Sequence, residues 1–123
     1  MELRSPEELK LFVEIDRTQV VDERAKGGEV ILIPILNPMT PLPALAAVAD
    51  NLAWFMEQVT GRGYQKAEEV YDVGYVVREP GHQAFGLKVN FEAGMVVISR
   101  VSILEDESIF RRYADYLRTG LLF

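Results

Sequence analysis

The stretch from Val70 to Leu104 constrains the fold of this chain more than any other part of the sequence. Apolar residues alternate there with residues that are mostly polar or glycine. The apolar positions are Tyr71, Val73, Tyr75 and Val77 in a first run, and Phe85, Leu87, Val89 and Phe91 in a second. Alternation with a period of two predicts β-strands with one packed face and one open face. Because short turns separate the runs, we predict a meander of three antiparallel strands.

Amphipathic helices are predicted on both sides of the meander. Between Pro41 and Gly61, apolar residues recur every three or four positions, at Leu45, Val48, Ala49, Leu52, Phe55, Met56 and Val59. This spacing gives one apolar stripe, and Gly61 suits a helix C-cap. Between Asp106 and Gly120, a second such stripe is formed by Ile109, Phe110, Tyr113, Tyr116 and Leu117. Both stripes are expected to pack on the sheet.

Two segments precede the first of these helices. Residues 6–16 follow Ser5 and begin with Pro6, Glu7 and Glu8, which matches a capping box, although their apolar residues also alternate as in a strand. A short helix is favoured here. Residues 29–36 (EVILIPIL) are rich in β-branched residues and predict a strand. Pro34 has no N–H to donate, so this strand should lie at an edge, or Pro34 should face away from its neighbour.

These elements predict a single α+β domain over residues 1–123. The expected order is α-β-α-β-β-β-α, with an antiparallel sheet of about four strands and helices packed on one face. A chain of 123 residues is long enough for one self-sufficient core.

The composition argues against several classes of protein. The net charge of −6 opposes binding to nucleic acids and to anionic membranes. No run of eighteen apolar residues is present, and the N-terminus lacks the apolar core of a signal peptide, so we expect a cytoplasmic protein. Cysteine is absent, which excludes disulfides and thiolate chemistry. The low content of asparagine and glutamine is compatible with heat stability.

Residues for catalysis or metal binding were sought in the sequence and do not form a recognisable pattern. The one histidine, His82, lies in a predicted turn, and no serine stands in a G-x-S-x-G motif. No D-x-D-x-D-G calcium loop occurs. We therefore predict no catalytic residue, no metal site and no cofactor, and an enzyme is the less favoured interpretation.

The alternation also predicts the strand register. Aligning the apolar faces pairs Val77 with Phe85 across a three-residue loop at 80–82, and Phe91 with Met95 across a second loop at 92–94. On the opposite face, this register surrounds two glycines, Gly74 and Gly86, with three cations, Arg78, Lys88 and Arg100. Such a hollow suits a small anion or an acidic partner. The alternative is a solvated outer face on which long basic side chains cover apolar neighbours.

The same register directs part of the last strand outward. Val96, Ile98 and Leu104 would then be exposed beside an apolar C-terminal tail formed by Leu121, Leu122 and Phe123. Exposed apolar surface of this kind indicates a partner, either a second copy of the chain or another protein.

Two resemblances to known families follow from the order of elements. The helix–strand–strand–strand–helix order resembles the double-stranded-RNA-binding domain. Residues 80–85 (PGHQAF) are similar to that family's Gly-Pro-x-His-x-x-x-Phe turn, with the glycine and proline exchanged and a shorter spacing. That family carries a lysine-rich N-terminus on its last helix, where this chain has Glu105, Asp106 and Glu107. The size, acidity and helix-then-meander order also resemble small dimeric secretion chaperones, whose function would be protein binding.

Three functions thus remain open at this point. The favoured prediction is a non-enzymatic homodimeric module for protein interaction or binding. The first alternative is a protein, or an unusual enzyme, that binds a small anion on the basic sheet face. The second is a double-stranded-RNA-binding-like domain, which the acidic charge disfavours.

Overall fold

Six antiparallel strands form one sheet in the computed structural model, which describes residues 14–25, 28–37, 39–68, 74–100 and 107–120. The strands are β1 (Val21–Ala25), β2 (Gly28–Pro34), β3 (Gln65–Glu68), β4 (Gly74–Glu79), β5 (His82–Asn90) and β6 (Met95–Arg100). Their order in the sheet is β1-β2-β6-β5-β4-β3. The helices are α1 (Pro41–Thr60) and α2 (Glu107–Thr119), and a short 3-10 helix covers Arg17–Gln19. The α+β class and the antiparallel sheet are confirmed, whereas the sheet has six strands and not about four.

The two strands missed by the sequence pattern lie at the edges of the sheet. β1 reads VDERA and β3 reads QKAE, so neither contains the apolar alternation that marks a half-buried strand. Short, charged edge strands resist pairing with another sheet edge. Because of β3, the described residues between α1 and α2 in the chain form four strands and not three. The order that carried the resemblance to the double-stranded-RNA-binding domain is therefore different.

The predicted helix α1 is confirmed at both ends. It begins after Thr40 and ends at Gly61, which adopts φ 74° and donates its backbone N–H to the Glu57 carbonyl at 2.9 Å. A positive φ is a conformation that glycine adopts without steric cost, which explains the C-cap. The predicted stripe of α1 is buried in the core, except for the partly buried Val59.

Tyr113 and Tyr116 of helix α2 pack against α1 around a buried asparagine. Asn51 has the position of a solvated residue on α1, yet it is only 1% exposed. Its side-chain oxygen accepts a hydrogen bond from the Tyr113 hydroxyl at 2.8 Å, and its amide donates one to the Tyr116 hydroxyl at 3.2 Å. Phe55 contacts both tyrosine rings. Buried polar groups need partners, and these bonds satisfy Asn51 inside the helix–helix contact.

The hairpin between β4 and β5 has the predicted register near its centre and a different turn. Val77 opposes Phe85 as predicted, but the turn contains two residues, since Glu79 opposes His82. A β-bulge after Val77 accommodates the difference, and it places Gln83 opposite Arg78. The turn glycine, Gly81, adopts φ 99°.

The hairpin between β5 and β6 is shifted by one residue from the predicted register. Asn90, and not Phe91, opposes Met95, and the turn has four residues, 91–94. The Asn90 side-chain oxygen accepts the Ala93 backbone N–H at 3.0 Å, and this bond holds the longer turn. A shift of one residue exchanges the two faces of a strand. Val96 and Ile98 are accordingly 0% exposed, and the prediction that they point outward is wrong.

Some predictions concern residues outside the described ranges. The tail residues Leu121, Leu122 and Phe123 and the predicted interface residue Leu104 belong to this group, as does most of the segment 6–16. Within the described part of that segment, Ile15 forms an isolated antiparallel bridge with Ile35.

Candidate functional site

The predicted site of three cations on the outer sheet face does not form. Lys88 opposes Val97 and lies on the outer face, because its neighbour Leu87 is buried in the core. Arg100 opposes Phe85, which is also buried, so Arg100 lies on the face that the helices cover. The shifted β5–β6 register is the cause. The expectation that Lys88 and Arg100 lie side by side is wrong.

The two glycines of the predicted hollow lie opposite different residues of the neighbouring strands. Gly74 opposes Lys88, and Gly86 opposes Val76 on one side and Ser99 on the other. A Cβ atom on Gly74 would lie 2.5 Å from the backbone oxygen of Leu87, which is too close for any side chain. Glycine at position 74 therefore permits the close approach of β4 to β5.

The outer face of the sheet is divided into an apolar half and a polar half. The apolar half spans β1, β2 and β6, and it consists of Val21, Val30, Leu32, Pro34, Met95 and Val97, hereafter the apolar patch. Val21 is 46% exposed, and the others are partly exposed. The alternate residues of β2 and β6, such as Ile31 and Ile98, belong to the core with the helices. Among the described residues, both helices pack on the core face and leave the patch uncovered.

The polar half contains a groove at the β4–β5 turn. The register aligns Gln65, Arg78 and Gln83 across β3, β4 and β5, so these three side chains share the outer face. All three are exposed. They line an open groove of about 490 Å³ together with Glu79, Pro80, Gly81 and His82.

A charged cluster supports this groove. Glu79 is 15% exposed, and its carboxylate accepts a hydrogen bond from Arg62 Nε at 2.8 Å. His82 Nδ1 lies 3.4 Å from the other carboxylate oxygen. Arg62 also donates to the Tyr64 hydroxyl at 2.7 Å, and this bond, with the nearby Glu79 charge, raises the pKa of Arg62 above its ordinary value. Arg62 and Glu79 thus form an ion pair beside the groove.

The cluster has one element of acid–base catalysis but lacks a nucleophile. A carboxylate that orients a histidine is part of a catalytic triad. The described residues that line the groove include no serine, threonine or cysteine. No group of three potential metal ligands exists among the described residues.

Ion pairs attach α2 to the sheet. Arg111 donates to both oxygens of Glu29, at 2.9 and 3.4 Å, and Glu29 is only 6% exposed. Arg118 donates to the Val20 carbonyl at 2.9 Å and to Asp22 at 3.2 Å. Neither arginine belongs to the apolar stripe of α2, and their acidic partners come from strands about eighty residues or more away. These pairs have a structural role.

The structure shows no helix in its described part that is long and apolar enough to cross a membrane. Neither a family model, nor a curated protein, nor a solved structure matches this chain.

Proposed function

We propose that this protein is a homodimeric interaction module whose two copies pack together through the apolar patch. The observation that carries the proposal is the uncovered apolar surface on β1, β2 and β6, which no described helix shields from solvent. A contiguous exposed apolar surface of this kind is typical of interaction sites.

The sequence of β2 supports a second packed layer. Strands with both faces buried are nearly continuously apolar, and β2 reads GEVILIP. Ile31 and Ile33 fill the core, whereas Val30 and Leu32 face the opposite direction. Burying one fully exposed side chain of this kind contributes about 1.5–3 kcal/mol. Since most patch residues are only partly exposed, the stabilisation of a dimer would come from several of them together.

Charge favours contact through the face over contact through an edge. The edge strand β1 contains Asp22, Glu23 and Arg24, which discourages edge-to-edge pairing. On the outer face, Glu23 flanks the patch on β1, and Lys88 flanks it on β5. A two-fold dimer interface is self-complementary. Sheets that pack with β1 of one copy over β5 of the other bring these opposite charges to the same side of the interface.

The experiment is a measurement of mass in solution by sedimentation equilibrium over a concentration series. The wild-type protein should have twice the chain mass of 13.9 kDa. Leu32→Lys should shift it to the monomer, because a lysine at the patch centre leaves a charge without a partner in the interface.

Leu42→Lys is the matched control. Leu42 is a 49% exposed leucine on α1, on the other side of the sheet, and its replacement should leave the dimer intact. Far-UV circular dichroism verifies that both variants fold. A monomeric wild-type protein, or equal dissociation of the two variants, would contradict the proposal.

A further inference from the structure

The polar half of the outer face carries a second inference, which is independent of the dimer. We propose that the groove at the β4–β5 turn binds a small organic anion, a carboxylate or a phosphate monoester, through the guanidinium group of Arg78. Arg78 is exposed, lines the groove, and has no ion pair or side-chain hydrogen bond with any described residue. Its donors are therefore available to a ligand.

The neighbours of Arg78 are neutral hydrogen-bonding groups. Gln65 and Gln83 oppose Arg78 from the two adjacent strands. Their carboxamides leave the charge of the guanidinium uncompensated, and each offers N–H donors for the remaining oxygens of an anion. A planar guanidinium can bind a carboxylate or a phosphate through two parallel hydrogen bonds.

The β-bulge in the β4–β5 hairpin creates this row of side chains. Val76 opposes Gly86, so regular pairing would place Ala84 opposite Arg78. The bulge brings Gln83 to that position, while Ala84 is buried in the core. β-Bulges redirect side chains and are frequent beside functional sites. The irregularity thus replaces a methyl group with an amide at the groove.

The acidic residue next to Arg78 in sequence does not neutralise it. Successive residues of a strand point to opposite faces, so the side chains of Glu79 and Arg78 diverge, although Glu79 also lines the groove. The Glu79 carboxylate is held by Arg62 and lies beside His82. The groove therefore contains one guanidinium group, that of Arg78, without an ion-pair partner among the described residues, whereas its carboxylate, that of Glu79, is already paired with Arg62. Its volume of about 490 Å³ lies in the range of small-molecule sites.

The test is a ¹H–¹⁵N NMR titration with two probes, inorganic phosphate and succinate. The Nε–H signal of Arg78 and the carboxamide signals of Gln65 and Gln83 should shift together and saturate. Arg78→Gln should weaken binding by at least about tenfold, since it removes charge-assisted hydrogen bonds. The probe that binds more tightly identifies the phosphate or the carboxylate as the preferred group.

Lys88→Gln is the matched control. It removes the same charge from the same face, on the strand that also carries Gln83, and it should change affinity by less than about twofold. Equal losses in the two variants would show a diffuse charge effect and overturn the proposal. Unchanged binding in Arg78→Gln, or no saturable shift with either probe, would overturn it as well. The amide spectrum of each variant verifies that the fold is retained.

Discussion

The two halves of the outer sheet face differ in chemistry, although they belong to one continuous sheet. The half formed by β1, β2 and β6 presents the apolar patch, whereas the half formed by β3, β4 and β5 presents a guanidinium group between two carboxamides. Removal of water from the apolar surface of the first half lowers the free energy. The second offers directional donors to a charged group. One sheet face can therefore carry two different kinds of chemistry.

The difference between the halves has a local structural cause. On the apolar side, the ladder between β2 and β6 is regular over five residue pairs. On the polar side, the β4–β5 ladder contains a bulge and a tight Pro80-Gly81 turn. Regular ladders build flat surfaces suited to another layer, whereas an irregular strand end creates a concave site. The division of the face thus follows the backbone as well as the side chains.

The register of β6 decides which of its residues belong to the apolar patch. The variant with the largest expected effect, Ile98→Ala, tests this register. Ile98→Ala should lower the free energy of unfolding by about 2–5 kcal/mol, because it leaves a cavity in the core. Val97→Ala, on the adjacent outward position, should lower it by less than about 1 kcal/mol in the Leu32→Lys background. Urea denaturation measures both effects. A larger loss for Val97 would contradict the observed register and the patch with it.

The close packing of β4 on β5 beside the polar half gives a second prediction. Gly74→Ala should destabilise the fold by about 1–3 kcal/mol, because its Cβ would meet the Leu87 carbonyl at 2.5 Å. Gly63→Ala is the control, since a Cβ at Gly63 has no atom within 4 Å. That variant should be neutral or slightly stabilising. Thermal unfolding separates the two, and equal melting temperatures would show that Gly74 has no packing role.

The smallest effect is a difference in salt dependence between the halves. Raising NaCl from about 0.02 to about 0.5 M should weaken phosphate binding several-fold, because the Debye length shortens from about 20 to about 4 Å. The dimer should persist, since burial of apolar surface is not screened. The same NMR titration and sedimentation experiments measure both. Dissociation of the dimer by salt, with phosphate binding unchanged, would reverse the assignment of the two halves.

The sequence predicted those features that depend on residues close together in the chain. The stripe of α1, the glycine that ends it and the pairing of Val77 with Phe85 are all confirmed. Each depends on periodicity or on a short turn. The predicted cation site failed because it combined three strands, and an error of one residue in the second turn moved Arg100 to the other face. Of the predicted site residues, Arg78 does line a groove, and its neighbours there are Gln65 and Gln83 in place of the predicted Lys88 and Arg100.

The buried Asn51 and the ion pairs of α2 were not predictable from periodicity. A polar residue on a helix is assigned to solvent unless a partner is known, and the partners of Asn51 are tyrosines more than sixty positions away. The same distance problem concealed the Glu29–Arg111 pair. The two tyrosines on the apolar stripe of α2 were a signal that a buried polar partner exists, since a buried tyrosine needs a hydrogen-bond partner.

The sequence by itself determined the helices, the strands of the meander and the α+β class, because alternation and helical spacing are local consequences of backbone geometry. The tertiary structure alone decided the faces of β6. That strand reads MVVISR and is apolar at four consecutive positions, so its pattern does not distinguish inside from outside. The choice depends on the four-residue turn and on the pairing of β6 with β2, more than sixty residues earlier in the chain. Burial of Val96 and Ile98 beside Ile33 and Ile31 selects one register, and that selection defines the outer face.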